Sequence, residues 1–84
     1  MSEKTLIGKV THYFTKIGVA VVQVENEIVL GDMLSFEGAT TDFTQPLDSM
    51  QVDNNPVETA KKGDDIGLKV KERVRPGDHV YKVA

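Results

Sequence analysis

KKGDDIGLKVKERVRPGDHVYKV, residues 61–83, is the stretch that decides how this chain folds. Between Asp65 and Val74, Ile66, Leu68, Val70 and Val74 share one parity, while Lys69, Lys71, Arg73 and Arg75 share the other. Successive side chains of a strand point to opposite faces, so this spacing predicts a strand over 65–74. Its apolar row faces a core and its basic row faces water. Glu72 is the exception, a charge on the apolar parity near the strand's end. Arg75-Pro76-Gly77-Asp78 predicts a turn, with proline pre-setting its own φ and glycine free to take positive φ. His79 to Val83 follows as the last strand.

Upstream, short β-branched runs alternate with Gly, Asp, Asn and Pro. Thr5–Tyr13 and Gly18–Val24 are the first two, then Ile28–Leu30, and Gly31-Asp32 turns the chain into Met33–Phe36. Gly38–Asp42 is polar, Phe43–Gln45 opens another strand, and Leu47–Val52 is a strand with a polar edge. Asn54, Asn55 and Pro56 favour a turn, and Val57–Ala60 is a helical turn or an irregular link. No window keeps apolar residues at helical spacing for three turns, whereas the strand and turn signals recur at the interval of an all-β domain. The expectation is a small closed antiparallel β-barrel of about six strands in Greek-key order, with residues 1–84 as one domain. A closed sheet leaves no unpaired edge.

Composition narrows the function classes. The chain has 84 residues, 10 basic and 13 acidic side chains, net charge −3, no cysteine and no tryptophan. Cysteine chemistry is excluded: no disulfide scaffold, no thiolate nucleophile, no Cys-ligated zinc. No apolar run approaches the roughly 20 residues of a membrane helix. MSEKTLIGKV lacks the apolar stretch of a secretory signal, so a cytoplasmic location and no membrane partner are expected.

Two segments resemble a known family. Ala60, Gly63, Asp64, Ile66 and Gly67 match one turn-and-strand signature, and Arg75, Gly77, Asp78 and Val80 match a closing one. With Ile7-Gly8-Lys9-Val10, the Gly31-Asp32 turn and Ser49-Met50-Gln51, they resemble the second domain of the translational GTPases, the β-barrel of elongation factors Tu and 1A. The resemblance implies a translation role and contact with transfer RNA or the ribosome. Thr59 departs from it, standing where the family often has an acid. GTP binding by this chain alone is rejected on its own residues. A P-loop needs G-x-x-x-x-G-K-[ST], and around Gly8-Lys9 the first glycine is replaced by Glu3 and the hydroxyl residue by Val10.

Lys69, Lys71, Arg73 and Arg75, with Lys61 and Lys62, are the candidate nucleic-acid contacts, since phosphate binding draws on cations gathered on one exposed face. The same row is also what a solvated strand exterior looks like. Residues 43–84 hold seven basic and seven acidic groups, against three and six in residues 1–42, so the basic part is only neutral on balance. His12, Tyr13 and Phe14 form an aromatic cluster that either stacks on bases or tucks into the barrel mouth. His12 and His79 lack metal-ligand spacing, and Glu25, Glu27, Asp64 and Asp65 belong to turns. No metal, cofactor or catalytic residue is assigned.

The reading is a non-catalytic binding module for a translation-linked RNA surface. The alternative is a protein-docking accessory barrel, resembling the C-terminal domain of collagenase-like peptidases. Its working surface would be apolar, around Met33, Phe36 and Phe43.

Overall fold

The computed structural model describes residues 4–53 and 55–83. It contains ten strands and no helix among those residues. They are β1 (Lys4–Phe14), β2 (Val19–Val24), β3 (Ile28–Val29), β4 (Met33–Glu37) and β5 (Asp42–Pro46), then β6 (Met50–Val52), β7 (Asn55–Val57), β8 (Thr59–Ala60), β9 (Asp65–Lys69) and β10 (His79–Val83). Eight of them form one antiparallel sheet in the order β5-β4-β10-β1-β2-β9-β6-β7, while β3 and β8 pair separately.

The inward parities build the core. Ile7, Val10, Val22, Leu34, Phe36, Ile66 and Val80 are each almost wholly buried. Removing such side chains from water contributes about 1.5–3 kcal/mol each. The predicted inward row of residues 66, 68, 70 and 74 is buried throughout, and Glu72 is exposed. The strand carrying it is shorter than expected, because β9 ends at Lys69. Val70 N still donates to Gly18 O opposite it at 2.9 Å, after which the backbone leaves the ladder and returns at Gly77, whose N donates to Val10 O at 2.7 Å. Val70 and Val74 thus reach the core from an irregular segment.

The expected closed barrel is not found. The ladder begins at β5 and stops at β7, so two edges remain. Both edges carry proline, Pro46 and Pro56, which cannot donate to a further strand. Where β5 meets the segment after β9, a side chain replaces the missing ladder. Gln45 Nε2 donates to Lys69 O, and Lys71 N donates to Gln45 Oε1, both at 2.9 Å. The amide pairs with the backbone flanking Val70 as another strand would. The expected turn at 54–56 also differs, since Asn55 and Pro56 belong to β7, which pairs with β6; Asn54 lies outside the described residues.

Three turns share one construction. In Val29–Asp32, Lys61–Asp64 and Arg75–Asp78, glycine holds a φ of +95° to +98°. The following aspartate accepts the backbone N–H three residues earlier at 2.9–3.0 Å. Only glycine takes that φ without steric cost, and the carboxylate satisfies a donor that the turn would otherwise orphan. Asp78 goes further, because it is buried and Oδ2 also accepts from Thr41 Oγ1. A Cβ on Gly38 would stand 2.0 Å from Asp78 Oδ1, so the loop after β4 needs glycine there.

Candidate functional site

The β1–β2 hairpin is closed by residues 15–18, with Ile17 N and Gly18 N both donating to Phe14 O. Gly18 takes a φ of +66°, which lets the chain reverse into β2. The turn leaves Phe14 at 51% and Ile17 at 61% exposure, two large apolar side chains in water. Tyr13, between His12 and Phe14, packs against the core, while His12 faces out.

Register extends this apolar tip into a groove. Phe14 pairs with Val19 and His12 with Val21; on the other side Val21 pairs with Gly67, and Gly67 with Gln51. Directly paired residues share a face, so Val19, Val21 and Gly67 form an outward floor. Phe14 and Ile17 line one side, and Gln51, Asp53 and Asp65 the other, around a cavity of about 280 Å³. A glycine inside a strand, as Gly67 is in β9, usually marks a bulge or the close approach of another segment. The ladder runs through it without a register shift, and a Cβ there would meet only Val19 Cγ1, at 3.5 Å. Its missing side chain leaves the floor low. Asp53 stands at the tip of the β6–β7 hairpin with a φ of +52°, a conformation in which Asp and Asn are enriched.

The sequence-predicted residues lie elsewhere. Lys61 and Lys62 sit in the turn before β9, Lys69 at the end of β9, and Lys71, Arg73 and Arg75 in the segment between β9 and β10; all six are exposed. They do not form one strand face, because the strand ends before Lys71. Lys69 and Lys71 line a separate groove of about 360 Å³ beside Gln45, Pro46, Asp48 and Ser49. The apolar surface expected around Met33, Phe36 and Phe43 is corrected too. Met33 is exposed, but Phe36 and Phe43 stack inside the core, centroids 4.9 Å apart and planes 8° from parallel.

Ile17, Val19, Val21 and Asp53 were not singled out from the sequence. The signal was present in Gly18–Val24, which is apolar on both parities up to Gln23. A strand with one solvated face alternates, and a strand apolar on both faces has something to cover on each.

Electrostatics outside the groove are those of a solvated sheet. A hydrogen bond from Lys4 lowers the Glu37 carboxyl below its ordinary value, with Ser35 Oγ adding a second at 3.0 Å. The same bond raises Lys4. No group of three or more His, Asp or Glu among the described residues is placed to hold a metal.

No family model matches the chain. Among curated proteins it is 38% identical over 82 residues to a collagenase of Porphyromonas gingivalis, covering 95% of this chain and 23% of that protein. It is 37% identical over 79 residues to an uncharacterized protease of Methanocaldococcus jannaschii, covering 93% and 19%. Among solved structures, the C-terminal domain of a putative U32 peptidase of Geobacillus thermoleovorans superposes with a TM-score of 0.87 at 28% identity, over 92% of this chain and 90% of that one. Its selenomethionine variant gives 0.86 at 26%, over 90% and 96%. The chain is similar to the C-terminal domain of a U32 peptidase.

It spans about a fifth of the length of the curated relatives it matches. These relatives overturn the resemblance to elongation factors, and the translation and RNA-binding assignments go with it. The signatures that weighed most in the resemblance are the Gly-Asp turns and the strand that holds Gly67. Any small rolled sheet needs such corners, so they report corner geometry rather than ancestry. The accessory-domain reading fits the relatives better than the translation reading does.

Proposed function

We propose that this chain is a non-catalytic docking domain, residues 1–84 forming one folded unit that offers an apolar outer face to a protein partner. The observation that carries the reading is the exposure of Phe14 and Ile17 beside the open floor of Val19, Val21 and Gly67. An apolar patch rimmed by polar residues is the ordinary mark of an interaction surface. Similarity to a peptidase's C-terminal domain supports an accessory role. The buried carboxylate, Asp78, is committed to Thr41 and Arg75, which fits a structural rather than a chemical duty. The cytoplasmic placement expected from the sequence is kept as part of this reading.

The test is capture from cell extract on the immobilised chain, with and without nuclease and at moderate salt. The expected result is one discrete protein, retained through both treatments and lost with the double variant Phe14→Ser/Ile17→Ser. Retention that vanishes with nuclease, or that is indifferent to the double variant, overturns the proposal.

A further inference from the structure

The groove over Gly67 has features that a merely sticky patch lacks. Its floor is open because one residue has no side chain, and the neighbouring floor residues, Val19 and Val21, are half-buried. A depression of this kind accepts one apolar side chain end-on. Its ionisable lining is of one sign: Asp53 and Asp65 are carboxylates, and no cation lines it among the described residues. Lys69, paired with Val19 in the ladder, lines the separate groove at Gln45. Both carboxylates are exposed and neither has a cation within salt-bridge distance among the described residues, so the rim's charge is free to be matched from outside.

Resting on the docking reading above, we infer that this groove takes an extended polypeptide segment of the partner in which an apolar residue adjoins a Lys or Arg. The apolar side chain seats over Gly67 between Phe14 and Val21, and the cation lies against Asp53 and Asp65. Burial of the anchor supplies most of the affinity. The rim pair sets orientation and rejects acidic segments, as charges at an interface edge do.

The test is selection of random peptides displayed on phage against the immobilised full chain, followed by titration of a labelled peptide of the enriched sequence. Enrichment of an apolar residue next to Lys or Arg is expected. Gly67→Val, which fills the floor at an unstrained strand position, should weaken that peptide about tenfold or more. Asp53→Asn/Asp65→Asn should weaken it about threefold to fivefold and flatten its salt dependence. Gly67→Ala serves as the milder variant, and thermal melts verify that each variant is folded. No enrichment, an acidic consensus, or affinity unchanged in Gly67→Val overturns the inference. A protein captured from extract that is still held by Gly67→Val and by the Asn pair, yet lost with Phe14→Ser/Ile17→Ser, overturns it while leaving the docking reading intact.

Discussion

Asp78, Asp64 and Asp32 occupy the same place in the same turn, and their surroundings make them unequal. Each accepts the N–H of the residue three before it, but Asp78 is buried and also accepts the Thr41 hydroxyl, from a residue 37 positions away. Hydrogen bonds to charged groups contribute about 1.5–3 kcal/mol, and a buried donor left alone costs its desolvation. Asp78→Ala is therefore expected to cost about 3–4 kcal/mol, since two donors lose their partner inside the fold. Asp64→Ala should cost under about 1 kcal/mol, because water replaces the lost acceptor at Lys61 N. Urea unfolding of the two variants beside the wild type measures the difference, and equal costs would show that the buried carboxylate holds nothing together. The turns themselves were legible: Gly followed by Asp requires positive φ and offers an acceptor, and all three obey. That one of the three aspartates is buried was not legible, because its burial depends on Gly38 and Thr41, which no local pattern ties to Asp78.

At the scale of elements, parity identified which side chains go inward and failed to locate where a strand stops. Ile66, Leu68, Val70 and Val74 are buried as their spacing required, yet the ladder ends at Lys69 and the cations beyond it leave the sheet. A loop whose apolar residues happen to keep even spacing is indistinguishable from a strand until its hydrogen-bond partners are known. The same ambiguity misplaced the docking surface. Met33–Phe36 and Phe43 are short apolar segments, and which of their residues face out depends on cross-strand pairing that puts Phe36 against Phe43. Gln45 shows how such pairing is completed without a strand, since its amide takes both backbone groups flanking Val70. Gln45→Ala should destabilise the protein by about 2 kcal/mol, the sum of two ordinary hydrogen bonds. Amide hydrogen exchange at Lys71 should accelerate more than exchange within β1. Unchanged protection at Lys71 would mean that the seam is held by side-chain packing alone.

For the whole molecule, what matters is that the last strand lies in the middle. β10 sits between β1 and β4, paired with five residues of each, so it joins β5-β4 to the remaining five strands of the sheet. Its Val80 is wholly buried against the core that Ile7 and Phe36 share. A chain ended at Asp78 would leave two edges unpaired in the sheet's interior and open the core to water on both sides of the gap. The gap would sacrifice more than the few kcal/mol by which a domain of this size is ordinarily stable. Such a truncation is expected to lose its cooperative urea transition altogether, with dispersed backbone amide resonances collapsing to the unfolded range. Val57→Ala, on the edge strand β7, should instead lower stability by about 1 kcal/mol and keep a single sharp transition. The contrast separates a fold held by its central strand from a sheet whose strands contribute independently. A truncated chain that still unfolds cooperatively would mean that β1, β2, β9 and the β6–β7 hairpin form a core sufficient by themselves, and that β10 with β4 and β5 is an addition to it. The groove over Gly67 lies wholly within that first set, so in that case the truncated chain should also keep its affinity for the selected peptide.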